Sequence, residues 1–176
     1  IYGSANRIRK KINNTLIDYD ISQKHISIIN ALFLGQRQMV SKETYKSFTN
    51  SGTIHILAIS GLHIGLLMLL LGVLLKPLKL FKIGKNLLPF VLIILLWSYA
   101  FLTGMSSSVV RSVTMFSLIS IAIYSNRITN TFHVLIISLF LLLLYDPLYI
   151  FDVGFQLSYL AVFAIVWIKP LFEKIW

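Results

Sequence analysis

Five apolar stretches of roughly bilayer-spanning length, at 54–75, 87–104, 106–125, 131–146 and 153–169, leave few folds open to this chain. Hydrophobic residues make up 57% of its 176 residues and charged residues only 12%, more apolar surface than one soluble core of that size can cover. Lipid is expected to cover the rest. The chain therefore reads as all-α: residues 51–176 form a polytopic transmembrane helical bundle of about five spans, and residues 1–50 form basic amphipathic helices at the interface. It begins at Ile1 rather than Met and is expected to be a piece of something longer. The absence of cysteine removes a disulfide framework, thiolate metal sites and thiol nucleophiles.

The connections are short and differ in charge. Lys76, Lys79, Lys82 and Lys85 follow the first stretch, a turn near Gly104 follows the second, Arg127 and Asn130 follow the third, and Asp146 to Asp152 follow the fourth. Positive charge marks the cytoplasmic side of short loops. If the four-lysine loop is cytoplasmic, alternation puts Gly104 outside, Arg127 inside, Asp146 and Asp152 outside, and Lys169 and Lys174 inside. The segment before the first stretch, with Arg7, Arg9, Lys10, Lys11, Lys24, Arg37, Lys42 and Lys46, then lies outside against the rule. Either the first stretch does not cross fully or upstream sequence sets the orientation, or the outer surface is basic for a reason. Ile8, Ile12 and Leu16 at i, i+4 and i+8 beside the basic cluster describe a helix in the headgroup plane, and Ile26, Ile29 and Phe33 repeat the form. Such a collar suits anionic lipid, and it also suits an incoming polyanion.

Three stretches carry the polar chemistry. In GTIHILAISGLHIG (52–65) and just beyond it, Ala58, Gly61, Gly65 and Gly72 fall on one stripe, which permits close approach of another helix with or without a function. His55 lies near the outer end of this stretch, whereas Ser60 and His63 are deeper, where polar groups usually face protein or a wet cavity. Two histidines without a third convergent ligand make no zinc site. In SSSVVRSVTM (106–115), Arg111 is the one unambiguous charge inside a stretch, on the order of 9 Å from its outer end at helical rise. Its side chain either snorkels to the headgroups or faces an interior path as a fork of donors to phosphates. In YDPLYIFDVGFQLSY (145–159), Asp146 and Pro147 end one stretch, Gly154 opens the next, and Gln156 and Ser158 enter the apolar region. Gln156 suits helix bridging or path lining equally. Nothing in the spacing fixes Asp146 and Asp152 as an acid/base pair.

Taken in order, ALFLGQRQMVSKETYKSF, GTIHILAISGLHIG, the arginine block and DPLYIFDVGFQLSYLAVFAI resemble the membrane competence domain of the ComEC family of DNA-uptake proteins, over roughly residues 25 to 168. The resemblance implies passage of one strand of DNA across the bacterial cytoplasmic membrane during natural transformation. It places family motifs on His55, Ser60, Gly61, His63 and Gly65, on Arg111, and on Asp146, Pro147, Gly154, Gln156 and Ser158. Family members usually add an oligonucleotide-binding-like domain and a metallo-β-lactamase-like domain, neither within these 176 residues, so no catalytic residue, metal or cofactor is expected here. Family members often have prolines where this chain has Ser106, Ser107 and Ser108.

The expected partners are single-stranded DNA, membrane lipids, and the other domains and competence machinery of the full-length protein. Ser60, Gly61, His63, Gly65, Arg111, Gln156 and Ser158 are expected along the path, with Arg7, Arg9, Lys10, Lys11 and Arg37 contacting DNA or lipid at the outer face. The competing expectation is a small-molecule, lipid-linked or ion transporter with a polar midplane site. If the alternation holds, cysteines introduced near Lys82 and near Asp152 will react with impermeant label from opposite sides of the membrane.

Overall fold

The computed structural model describes residues 2–19, 21–80, 82–124 and 130–173. Among these residues the regular structure is entirely helical: α1 (Tyr2–Asp18), α2 (Gln23–Leu34), α3 (Lys42–Asn50), α4 (Gly61–Leu74), α5 (Lys82–Leu102), α6 (Ser107–Tyr124), α7 (Thr131–Tyr145) and α8 (Val153–Glu173). Single 3-10 turns occupy Arg37–Met39, Ile54–Leu57, Lys76–Leu80 and Pro147–Phe151. Local chemistry sets the boundaries. Ser41 and Asn130 accept the Thr44 and Phe132 amide hydrogens at the starts of α3 and α7, which satisfies donors that a helix start leaves unpaired. At the end of α5, Gly104 takes φ +86° while the Met105 amide returns to the Ala100 carbonyl and the Gly104 amide to Phe101, a left-handed termination that favours glycine.

Helix α6 is the centre. It packs against α4, α5, α7 and α8, while α4 also touches α5 and α7 touches α8. Ile59, Ile64, Leu96, Ala100, Val109 and Val113 form a core on one side of α6, and Val110, Leu135, Leu142, Phe155 and Tyr159 form a second on the other. Close packing of α4 on α6 depends on the glycine stripe in part. A Cβ on Gly61 would meet Ser112 Oγ at 3.1 Å and one on Gly65 would meet the Phe116 ring at 3.0 Å, whereas Gly72 faces open space.

Consecutive helices run antiparallel, so one end of the bundle gathers the starts of α4, α6 and α8 with the ends of α5 and α7. Helices α1 to α3 sit at this same end. Arg9 Nε donates to the Leu102 carbonyl at 2.8 Å, and Gly35, past the end of α2, lies so close to the Thr103 carbonyl that a Cβ would sit 3.0 Å away. The basic segment is thus at the end opposite the turn containing Lys76, the arrangement that charge alternation requires. Arg127 and Lys174 lie outside the described residues.

Two expectations change. The stretch at 54–75 is not one helix: it is a 3-10 turn, an extended link at Ala58–Ser60, and a helix of 14 residues. Among the described residues no helix is long and apolar enough to cross a membrane, so the five continuous spans expected from hydropathy are not formed as such. At 1.5 Å per residue the 14 residues of α4 and the 15 of α7 reach about 21 and 22 Å, short of a hydrocarbon core of about 30 Å. The longer α5, α6 and α8 carry Lys82 and Lys85, Arg111 with five serines, and Lys169 with Pro170 in sequence. The amphipathic helices also sit differently. Ile8 and Ile12 are exposed as expected, but Ala5, Arg9, Asn13 and Leu16 turn inward, and Ile26 is buried while Phe33 is exposed. Asn30, fully buried on α2, donates to Asn13 Oδ1 at 2.9 Å and fixes α1 on α2.

Some polar residues are buried while large apolar ones face outward. Asn30, Ser120 and Ser138 are wholly buried, while Leu62 on α4 is 81% exposed and Leu144 on α7 is 69% exposed. Two glycines make opposite predictions for thermal unfolding of the purified protein. Gly104→Ala destabilises it by about 1–2 kcal/mol, the cost of a left-handed Cβ, and also displaces Arg9, whose Nη2 lies 2.9 Å from the new carbon. Gly72→Ala, within α4 and open around its Cα, leaves stability unchanged or raises it by up to about 1 kcal/mol.

Candidate functional site: a buried arginine layer

The first half of α6 alternates serine, valine and one arginine, and packing on several sides leaves Arg111 only 7% exposed. Its guanidinium points away from the apolar exterior. Nη1 lies 3.5 Å from Asp152 Oδ2, and the guanidinium carbon stands 5.9 Å from the centre of the Phe155 ring. The contact with Asp152 is a charge contact without hydrogen-bond geometry, so Nε and Nη1 have no acceptor among the described residues. Asp152 is held by its own neighbourhood: its Oδ1 accepts the Gly154 amide hydrogen at 2.9 Å and so caps the start of α8. Gly154 keeps this region open, since a Cβ there would lie 3.3 Å from Asp152 Oδ1 and 3.9 Å from Arg111 Nη2.

Aromatic rings continue the layer. Phe155 is tilted on Tyr159 at 4.7 Å and stacked on Tyr149 at 5.7 Å with 18° between planes. Tyr149, on the Pro147–Phe151 turn, has its phenol pKa raised by burial first and by the nearby Asp146 charge second. Tyr159 meets Ser138 Oγ at 3.1 Å, joining α8 to α7. Below, Ser117 and Ser120 hydroxyls are buried on α6 without a partner among the described residues.

The other expected residues form separate local pairs. Ser60 precedes α4, and its amide donates to His63 Nδ1 at 3.3 Å while its hydroxyl lies 2.9 Å from the same nitrogen. An Nδ1 that accepts the amide hydrogen leaves the imidazole proton on Nε2. Asp146 Oδ1 caps the following turn through the Leu148 amide at 3.0 Å, with Pro147 at the position where no donor is needed. Gln156 is exposed and donates to the Ile150 carbonyl at 2.7 Å, tying the start of α8 to the turn before it. Ser158 is half-buried, and His55 is exposed on the 3-10 turn before α4. No hydrogen bond among the described residues joins these groups to Arg111. The serines on either side of it serve the fold as well: Ser108 Oγ donates to the Ile59 carbonyl at 3.0 Å, and Ser112 Oγ to the Ser108 carbonyl at 2.8 Å. Of the basic residues, Arg7, Lys10, Lys11 and Arg37 are exposed, whereas Arg9 is committed to the end of α5.

Asp152, Tyr149 and Phe155 belong to the arginine layer and were not among the expected site residues. Asp152 stands in the same motif as Gly154, but only folding of α8 against α6 reveals it as the partner of Arg111.

The arrangement is a helical bundle in which Arg111 is the one buried cation among the described residues, near one end. Residues 32–176 match the family described as Competence protein, and the chain belongs to that family. It is 30% identical to ComE operon protein 3 of Bacillus subtilis over 84% of its own length and 19% of the relative. It is 32% identical to the uncharacterized protein YcaI of Escherichia coli, over 80% of this chain and 19% of that one. An uncharacterized protein of Aquifex aeolicus is 29% identical over 87% of this chain and 36% of its own. The chain thus spans about a fifth of the length of the first two of these relatives. No solved structure matches it.

A double-mutant cycle read by denaturant unfolding tests the central pair. Asp152→Asn alone costs roughly 1–2 kcal/mol, because it strands a buried cation, discounted for the 40% exposure of the Asp152 side chain. With Arg111→Met already present, the same change costs markedly less.

Proposed function

We propose that this segment is the bilayer-embedded part of a DNA-uptake protein and that one DNA strand passes the Arg111 layer on its way into the bacterial cytoplasm. The observation that carries the reading is Arg111 itself: a guanidinium buried in a bundle of apolar helices with two donor nitrogens lacking an acceptor among the described residues. A phosphate is the acceptor such a fork suits. Membership in the competence family supports the direction of the argument.

The outward apolar residues support the setting. Leu66, Leu69 and Leu74 on α4, Phe90 and Ile94 on α5, and Trp167 on α8 are all more than half exposed, a surface that water would disfavour and lipid would not. Membrane lipid is therefore the proposed surrounding, and the end bearing α1 to α3 is the proposed outer face. Ile8 and Ile12 would enter the headgroup region, with Arg7 and Lys11 beside them.

Anionic cargo is favoured at that end on electrostatic grounds. The starts of α4, α6 and α8 face it, three positive dipole poles against the two negative poles where α5 and α7 end, and the basic helices add full charges. Sparse fixed charge suits conduction, since a strand must leave each contact as readily as it enters. Asp152 serves this by partly neutralising Arg111, so that a phosphate competes with a carboxylate. Within this reading Ser60 with His63, and Gln156 with Ile150, hold the entrances of α4 and α8 in place beside the path, and Gly61 and Gly65 keep α4 against α6.

The test is strand uptake by cells carrying the full-length protein at normal membrane levels. Arg111→Gln is expected to lower transformation by tenfold or more, and Arg111→Lys to retain an intermediate level, since an ammonium keeps charge but loses the planar fork. Uptake undiminished by Arg111→Gln would overturn the reading.

A further inference from the structure

A cavity of about 450 Å³ opens beside the arginine layer, in the gap between α5 and α7 with α6 as its floor. Trp97, Met105, Tyr145 and Tyr149 stand around it, and Val110 and Thr114 lie beneath. The floor is buried while Met105 and Tyr145 are exposed at the rim, so the cavity is a half-open slot and not an internal void. We infer that this slot is a stacking subsite that holds one base of the passing strand while the adjoining phosphate engages Arg111. The inference rests on the DNA-uptake reading above and deepens it.

Four observations carry it. First, three of the walls are aromatic rings and one is a methionine, the flat and polarisable surfaces on which any nucleobase can stack without regard to sequence. A volume of about 450 Å³ admits a single planar ligand and is too small for another helix, whose diameter with side chains is about 10–12 Å. Second, the slot adjoins the arginine layer, although Arg111 itself does not line it. Val110 and Thr114 flank Arg111 on α6, and Tyr149, a slot wall, stacks on the Phe155 ring over which the guanidinium stands. Base and phosphate contacts therefore belong to one layer, as recognition of a single strand requires.

Third, the charge around the slot is complementary to a nucleotide. Arg111 keeps two unaccepted donor nitrogens among the described residues. Arg9, reaching over from α1, lies against Gly104, the residue before Met105. Fourth, the rim is built under strain. Met105 has φ +52°, and it is the one non-glycine residue with positive φ among those described. Backbone held in that region by its surroundings is found where a side chain must be aimed, and here the side chain aimed is a slot wall. Aromatic residues at a membrane surface can equally serve as an interfacial belt. A belt, however, requires neither the cavity nor the strained turn.

The experiment uses the full-length protein reconstituted in lipid nanodiscs. Binding of a short oligodeoxynucleotide is compared with that of a strand of the same length built largely of abasic sites. The wild-type protein is expected to favour the strand with bases by about tenfold or more, the effect of one stacked base. Tyr145→Ala and Trp97→Ala are expected to shrink that ratio toward one and leave abasic binding nearly unchanged, whereas Arg111→Gln weakens both strands together. A strand carrying 5-iodouracil, irradiated in the complex, is expected to cross-link to Trp97, Tyr145 or Tyr149. Three results overturn the subsite. A base-to-abasic ratio that neither aromatic variant changes, although Arg111→Gln weakens both strands, refutes stacking and leaves the DNA reading standing. Cross-links that fall only outside the slot do the same. Co-purified lipid at the slot that the oligonucleotide does not displace assigns the rings to lipid. If wild type binds neither strand and Arg111→Gln leaves uptake unchanged, the DNA reading fails as well.

Discussion

A guanidinium that is 7% exposed on the helix touching four others imposes a requirement on every segment near it. Taking such a charge out of water without compensation costs several kcal/mol, and removing one member of a buried pair is more damaging than never having had the pair. The compensation comes from α8. Its first residues fold so that one oxygen of Asp152 caps the helix and the other faces Arg111, and Gly154 leaves room for both. The Asp146 cap, Pro147 and the Gln156 tie to Ile150 then follow as means of holding that turn in register. The partial character of the compensation is what gives the site chemical capacity, because a fully hydrogen-bonded arginine would have nothing left to donate.

The same requirement accounts for the arrangement of the rest of the bundle. Valine, serine and threonine on α6 are small enough to admit helices around it, and Gly61 and Gly65 bring α4 within contact of Ser112 and Phe116. Several polar side chains turn toward this centre beside the two apolar cores, and many further leucine, isoleucine and phenylalanine side chains are left outside. Association of these helices buries the apolar cores on either side of α6 and leaves much further apolar surface exposed. It rests on close packing and on hydrogen bonds such as Ser108 to Ile59 and Ser138 to Tyr159.

Much of this was legible before folding was considered. Hydropathy located the apolar helices, whereas the basic amino-terminal segment stood in conflict with the positive-inside rule and its place was left open. Hydropathy misjudged continuity at 54–75 because an average over apolar residues is blind to a serine followed three residues later by a histidine, the pair that starts α4 afresh. Amphipathic periodicity likewise found the exposed face of α1 at Ile8 and Ile12. It missed the inward polar row of Arg9 and Asn13, whose partners Leu102 and Asn30 lie in other helices.

The sequence by itself determined the helical class, the family, and Arg111 as the unusual charge. These depend on composition, on spacing along one chain and on motifs in order. Tertiary structure alone decided that Arg111 faces Asp152 and Phe155 and not the exterior, that Gln156 and Ser60 are taken up by local bonds, and that Trp97, Tyr145 and Tyr149 surround one slot. The physical reason is that each of these depends on which faces of α5, α6, α7 and α8 meet, and many rotations of an apolar helix bury nearly the same area. The choice among those rotations falls to a few polar contacts between residues tens of positions apart, which no local pattern records.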